Sequence, residues 1–170
     1  MNMRALTAAL ALLALPAFAS EDIADQYPAS VLYSKPVEFI PHVFSAIGAT
    51  APPTYENAGH NNNLSFIVTG DGVIVINSGG SYQLAKALHD EIKAVTDQPV
   101  KLVFNENGQG HAMLGNTYWA EQGVKIVAQI EGAEALEDEG AGALRAAQAR
   151  LKERADVTAL TPPPDTFPPA

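Results

Sequence analysis

The chain has 170 residues, and its 19 acidic side chains outnumber its 10 lysines and arginines, giving a formal net charge of −9 at pH 7. A chain this acidic lacks the positive surface that binding to nucleic acid or to an anionic membrane requires. It contains no cysteine, which excludes disulfides, thiolate metal ligands and a cysteine nucleophile. A metal ion would therefore need His, Asp or Glu.

The first 19 residues have the pattern of a secretory signal peptide. Arg4 supplies a positive charge, residues 5–18 are apolar, and Ala17-Phe18-Ala19 is a small-residue cleavage site ahead of Ser20. The apolar run is shorter than the roughly 20 residues that a membrane-spanning helix needs. We therefore expect no membrane span, and we expect export to the periplasm or the medium with cleavage near Ala19-Ser20. Loss of Arg4 leaves nine basic residues against 19 acids, a net charge near −10.

The remaining chain divides into three parts. Residues 20–36 are polar and mixed, which indicates an N-terminal arm, and residues 37–160 carry the hydrophobic patterns of one domain. Residues 161–170 contain five prolines, so this tail is not expected to form a regular element.

The domain begins with a strand pattern. Val37 to Ile47 is apolar but contains Pro41, which favours an edge strand or two short strands. Leu64 to Val68 and the β-branched run Val73 to Ile76 predict two strands joined by a hairpin at Asp71-Gly72. The continuous run predicts a strand buried on both faces.

Helices and strands then alternate. Leu84, Leu88, Ile92 and Val95 recur at helical spacing after Ser81, a candidate N-cap. A strand follows over Val100 to Phe104, then a short helix over Met113 to Gln122, a strand over Val124 to Ala128 and an amphipathic helix within 131–155. This order predicts an α/β layered domain.

From Asn63 to Ala128 the chain resembles the first half of a metallo-β-lactamase-fold hydrolase. The resemblance implies the N-terminal half of a four-layer αββα sandwich, truncated before its second half. The matching features occur in the family's order: the Gly70-Asp71-Gly72 hairpin, the strand ending at Asn77-Ser78-Gly79, the helix after Ser81, the strand ending at Asn105, and Gly115-Asn116 after the loop. The stretch Val75-Ile76-Asn77-Ser78-Gly79-Gly80 is most similar to periplasmic relatives associated with quinoprotein dehydrogenase systems.

In this family the loop carries His-x-His-x-Asp-His, and the preceding strand ends in aspartate. We aligned Gly115-Asn116 with the family's Gly-Asn to find the equivalent positions. The zinc-ligand positions then fall, in chain order, on Asn77, Asn107, Gln109, His111, Ala112 and a position near Gln129. No position keeps its family residue, so we expect no catalytic residues and no bound zinc or other cofactor.

One alternative alignment retains part of the motif. With one extra residue before Gly115, His111 matches the last motif histidine, and Glu106 becomes a conceivable further ligand. Two ligands are still fewer than the three protein ligands of a catalytic zinc. Without a held zinc, no bound water reaches the pKa of about 7 that supplies a hydroxide nucleophile.

The resemblance also implies that the second sheet and the remaining ligands are missing, because the chain stops where that half would begin. The sheet would then expose an apolar face, which marks a partner interface or an aggregation liability. Three hypotheses follow: a catalytically inactive protein, a hydrolase active only with a second chain that brings the other half, or a binding module, which a stable homodimer would favour. A decayed gene product remains the simplest alternative.

Other polar residues have simpler explanations. His60 is expected to be an exposed loop histidine, and His89, beside Asp90, is expected to be solvated on a helix surface. Neither Ser78 nor Ser81 lies in the G-x-S-x-G context of a serine nucleophile.

Overall fold

The computed structural model describes residue 27 and residues 29–169, so the expected signal peptide and most of the N-terminal arm lie outside the described residues. Seven strands form one mixed sheet in which the strand order equals the chain order. Neighbours from β1 to β4 are antiparallel, and those from β4 to β7 are parallel. The strands are β1 (Val37–Ile40), β2 (Val43–Ala46), β3 (Leu64–Val68), β4 (Val73–Ile76), β5 (Val100–Asn105), β6 (Lys125–Gln129) and β7 (Asp165–Phe167).

The described helices connect or follow the parallel strands, as crossovers between parallel strands require. Ser81 begins the first of them as predicted, because its side chain accepts a hydrogen bond from the Leu84 N–H at 3.2 Å. The helices are α1 (Tyr82–Val95), α2 (Gly110–Met113), α3 (Asn116–Glu121) and α4 (Ile130–Leu151), which continues into a 3₁₀ turn over Lys152–Ala155.

One face of the sheet carries the hydrophobic core. Alternate residues of the central strands, such as Val75 and Val103, pack against Leu88 and Ile92 of α1 and against Trp119 of α3. Toward the β6 edge, a second cluster joins α2 and α4 to the same face of the sheet, through Ala112, Met113, Ala128 and Leu136. All of these helices therefore cover the same side of the sheet.

The other face of the sheet is only half-buried along its length. The strand pairing places Ile67 opposite Ile74, and Ile74 and Ile76 lie beside Leu102 and Phe104. The expectation that β4 is buried on both faces is therefore wrong, because no described helix covers this side. We call this surface the open sheet face; its central apolar residues are Ile67, Ile74, Ile76, Leu102, Phe104 and Val127.

Two predicted elements need correction. The single helix expected over Met113 to Gln122 is divided into α2 and α3, because the Gly115 N–H donates to the Gly79 carbonyl at 2.7 Å and not to a helical carbonyl. The tail, expected to be irregular, contains β7, which pairs with β6 through Val127 and Asp165. Prolines flank this three-residue edge strand on both sides, which is the position that sheets tolerate.

The long helix α4 does not have the character of a membrane span. Among the described residues, no helix is both long enough and apolar enough to cross a membrane.

Candidate functional site

The residues that align with the family's metal ligands gather at the carboxyl ends of β4 and β5. The pairing of Ile76 with Phe104 brings Asn77 beside Asn105, so that two buried asparagines end two adjacent parallel strands. The loop after Asn105 leads through Gln109 into α2. In open α/β sheets this end of the strands is where ligand sites occur.

One backbone carbonyl holds these segments together. The Ala112 oxygen accepts the Ser78 N–H at 2.8 Å, the Ser78 hydroxyl at 2.7 Å and the Asn105 side-chain amide at 2.8 Å. A Cβ on Gly115 would lie 2.1 Å from the Ser78 carbonyl oxygen, so only glycine permits this approach. The loop after β4, the end of β5 and α2 are thus tied into one unit.

Asn77 has a structural role in this unit. It has a positive φ of 66°, a conformation that asparagine tolerates better than most residues. Its N–H donates to the Phe104 carbonyl at 2.8 Å, and its side-chain oxygen accepts the Glu106 N–H at 3.2 Å. The oxygen that could face a metal therefore already accepts a backbone hydrogen bond.

Asn107 and Gln109 occupy the first two positions of the family motif, and a hydrogen bond joins them. The Asn107 side-chain oxygen accepts the Gln109 N–H at 2.8 Å, which closes a local turn before α2. Gln109 precedes α2 as its N-cap, makes no side-chain capping hydrogen bond, and is exposed.

His111 and Ala112 occupy the last two motif positions and point to different environments. His111 is half-buried, and its burial lowers the pKa of the imidazole, while the nearby Glu106 carboxylate acts in the opposite direction. Ala112 is fully buried in the core and has no side-chain donor. In the described part of the chain, no three His, Asp or Glu side chains lie close enough together to hold a metal ion.

This donor set does not fit a catalytic zinc ion. Zinc takes imidazole, thiolate or carboxylate ligands, and three protein ligands leave its reactive position open. Here the strand ends supply neutral amide oxygens that already accept backbone N–H groups, and Gln129 instead caps α4 by accepting the Gly132 N–H. Only His111 and Glu106 have suitable chemistry, so we derive no reaction step through zinc.

The two serines near this site also have structural roles. The Ser78 hydroxyl donates to the Ala112 carbonyl, and the Ser81 hydroxyl caps α1. Within the part of the chain that the structure describes, neither serine hydrogen-bonds to a histidine, so neither has the adjacent base that activates a nucleophile.

His60 is not on the surface, which corrects the sequence prediction. It is fully buried, and its Nδ1 accepts the Tyr33 N–H at 2.9 Å, which places the proton of the neutral ring on Nε2. Burial lowers the pKa of His60 to about 4, against the smaller raising effect of nearby backbone groups of Ala46 and Asn62. Sequence reasoning missed this role because a loop is exposed by default, while this loop folds beneath the N-terminal segment.

His89 is likewise not a solvated surface residue. Its Nδ1 lies 2.8 Å from the Tyr118 hydroxyl, and its ring packs 5.1 Å from the Trp119 ring centroid. Tyr118 and Trp119 pack in the core cluster and fix α3 on α1. Burial lowers the pKa of His89, which favours the neutral ring in this contact.

Solved structures similar to this chain are metallo-β-lactamases. One from Hirschia baltica matches with a TM-score of 0.56 at 14% identity, over 78% of this chain and 51% of that one. One from Pontibacter korlensis matches with a TM-score of 0.54 at 18% identity, over 78% and 51%. The FIM-1 enzyme from Pseudomonas aeruginosa, in its mono-zinc form, matches with a TM-score of 0.54 at 13% identity, over 78% and 49%. No protein-family model and no curated protein matches the sequence.

These matches confirm the fold that the sequence resemblance implied. Their low identities establish common architecture and do not establish a shared activity. The chain spans about half the length of the solved structures that it matches. It therefore has the fold of one half of a metallo-β-lactamase.

The buried His60 predicts a loss of stability in mild acid. Its pKa is about 4 when folded against 6.5 as a free side chain, so the unfolded state binds more protons between these values. Above about pH 6.5 the buried His60 does not lower the free energy of unfolding. As the pH falls toward 4, the free energy of unfolding decreases by up to roughly 3 kcal/mol. Urea unfolding at a series of pH values measures it.

Substitution His60→Gln should flatten this pH dependence, leaving the weaker contributions of His89 and His111, whose pKa values burial also lowers. The exposed His42 provides the control, since His42→Asn retains a residue that tolerates its positive φ. An unchanged slope in His60→Gln would contradict the assignment.

Proposed function

We propose that this chain is an exported protein that uses the metallo-β-lactamase fold as a binding module, without zinc-dependent hydrolysis. The observation that supports this most directly is the state of the side chains at the motif positions. The oxygens of Asn77 and Asn107 accept backbone N–H groups, so the loop is held by hydrogen bonds where zinc enzymes use metal ligands.

A hydrolase completed by a second chain is a weaker proposal. A second chain adds ligands from outside, but it leaves amides at 107 and 109 and alanine at 112. Amide oxygens are weak donors for zinc, and an alanine side chain donates nothing. The assembled site would still lack the imidazoles that this loop has to supply.

Export follows from the N-terminal sequence, in which Arg4 precedes an apolar stretch and Ala17-Phe18-Ala19. We expect the full-length chain, expressed in a bacterium that exports proteins, to be recovered outside the cytoplasm without residues 1–19. The intact mass of the purified protein checks this. Recovery of the uncleaved chain from the cytoplasm would contradict export.

The open sheet face is suited to contact with another protein surface. Two polar pairs lie on it: the Ser65 hydroxyl donates to the Ser45 hydroxyl at 2.9 Å, and Lys125 lies 3.7 Å from Asp165 at the β6–β7 edge. The serine pair keeps its hydrogen bond when the face is covered, which limits the cost of burying it. The ion pair contributes no net charge, and the central residues of the face are all apolar.

A second copy of the chain is the occupant that we propose. Two acidic chains repel each other unless they meet through a neutral patch, and the open sheet face is neutral. Seven strands spaced by about 4.8 Å, with three to six residues each, give a footprint of about 500 Å² on one copy. Two such faces, with side chains projecting from both, reach the ~1,000 Å² of total buried surface that a specific interface needs.

Zinc should not stabilise the purified chain. A ligand that binds only the folded state at about 100 times its Kd adds ~2.7 kcal/mol, so an intact site would raise Tm clearly. The double variant Asn107→His with Gln109→His, which places two imidazoles near His111, is the positive control and is expected to gain zinc-dependent stability. A zinc-dependent rise in the Tm of the unmodified chain, or zinc-dependent β-lactam, ester or thioester hydrolysis, would overturn the proposal.

The oligomeric state tests the open sheet face. Light scattering across a dilution series should give the mass of a dimer, and Ile74→Lys and Phe104→Lys should each give a monomer, because a lysine in the apolar contact loses its hydration. Ala149→Lys, on an exposed position of α4, is the matched control and should remain dimeric. A monomeric unmodified chain, or a dimer unaffected by both substitutions, would contradict this interface.

A further inference from the structure

A cavity of about 190 Å³ lies between α4, α2 and the loop that joins β2 to β3. We call it the α4 cavity. Leu114, Ala147 and Leu151 form its apolar wall, and the side chains of His111 and Arg150 also line it. It lies on the helix side of the sheet and shares no lining residue with the open sheet face, so it is independent of the dimer contact.

Small residues create the α4 cavity. Ala143 and Ala147, one turn apart on α4, face Gly59, Gly80 and Gly110 across the gap. The floor is tightly built, because a Cβ at Gly59 would lie 3.0 Å from a methyl of Leu151, and one at Gly110 would lie 3.2 Å from the Cβ of Ala143. The space is therefore bounded by rigid backbone and short side chains.

Arg150 is a cation without a counterion at this cavity. It is exposed, and it makes no ion pair or hydrogen bond with any described residue, although the chain carries 19 acids. The neighbouring Arg154 is different, since its guanidinium donates to the Tyr55 carbonyl at 2.6 Å and stacks on that ring. None of the described residues that line the cavity is acidic.

The local charge around Arg150 is positive. Residues 145–154 hold four of the ten lysines and arginines of the chain and one acid, Glu153. In an otherwise acidic protein, this short stretch is where an anion meets the least repulsion. The half-buried His111 also brings an imidazole to the cavity wall.

We propose that the α4 cavity binds a short aliphatic monocarboxylate, with the carboxylate on Arg150 and the hydrocarbon tail against Leu114, Ala147 and Leu151. Arginine binds carboxylates through two parallel N–H groups, which gives direction as well as attraction. The volume suits a small tail, since an apolar cavity of about 150 Å³ in another protein holds benzene. A molecule the size of hexanoate matches both features.

Arg150 also has a simpler role, because it stands in the last turn of α4, where a cation interacts favourably with the helix dipole. That role affects the stability of α4 and gives no response to a carboxylate. The test therefore measures binding directly.

The experiment titrates the full chain with hexanoate and follows the backbone amide resonances of α2 and α4 by NMR. Hexan-1-ol serves as the probe with the same tail and no charge. We expect saturable shifts at residues around His111 and Ala147 with hexanoate and at least about tenfold weaker binding of the alcohol, as the loss of one charge-assisted contact predicts.

Three substitutions test the residues. Arg150→Gln should weaken hexanoate binding at least about tenfold, while Arg145→Gln, the matched loss of charge on the same helix outside the cavity, should leave it unchanged. Ala146→Leu, at an exposed position lining the cavity, should reduce binding by filling the space. Equal loss in both arginine variants, equal binding of hexan-1-ol, or no saturable shift with the unmodified chain would overturn the proposal.

Two further results separate this site from the proposed dimer. Hexanoate binding should persist in Ile74→Lys, whether or not that variant is monomeric, because the two surfaces share no residue. Binding that disappears in folded Ile74→Lys would contradict an independent cavity. A monomeric unmodified chain that binds hexanoate would overturn the dimer alone.

Discussion

The carbonyl of Ala112 is the point on which the site end of this molecule depends. Three donors reach one oxygen: the N–H and hydroxyl of Ser78 and the amide of Asn105. A carbonyl oxygen has two lone pairs, so these three donors fully occupy it and no further donor can bind there. Through this atom, β4, β5 and α2 are held at a fixed separation, and the absence of a Cβ at Gly115 permits the close contact. These hydrogen bonds to the Ala112 carbonyl therefore fix the loop after β5 relative to the hydrophobic core.

The family's metal-binding end is thus replaced by a network of amides. Asn77, Asn105 and Asn107 each use a side-chain atom to satisfy a backbone group after β5: the Glu106 N–H, the Ala112 carbonyl and the Gln109 N–H, respectively. Strand ends leave such groups unpaired, and burying them without partners is costly. In a zinc enzyme, coordination orders the ligand loop. Here hydrogen bonds within the chain order it, which explains how the loop keeps its course while its metal-binding side chains are absent.

Much of the fold could be predicted from local sequence. The β-branched run Val73 to Ile76, the Asp71-Gly72 turn and the Ser81 cap all act over a few residues, and the structure places each where the pattern indicated. The resemblance over 63–128 gave the architecture, and the solved structures confirm it. The positions that the resemblance assigned to metal ligands lie after β4, in the loop after β5 and in α2.

The errors concern contacts between distant segments. His60 is buried because the backbone of Tyr33, 27 residues earlier, lies on its ring, and His89 is half-buried because Tyr118 follows 29 residues later. The β7 strand forms because β6 offers an unpaired edge to three residues between prolines. The sequence did not indicate a binding role for Arg150, since arginine is common in the last turn of a helix. The cavity beside it becomes visible only when α4 packs on α2. None of these partners can be identified from local pattern.

The strand order of the sheet has a consequence for how the molecule is made. Each strand lies beside the one that precedes it in the chain, from β1 to β7. A polypeptide that emerges from a ribosome or a translocation channel with its N-terminus first can add each strand to the edge just formed, without waiting for a later segment to be inserted between earlier ones. The hairpins β1–β2 and β3–β4 also close short loops, and local contacts of this kind favour rapid folding. The edge of β6 then stays exposed until β7 has been made and pairs with it, so the order of synthesis and the order of assembly are the same.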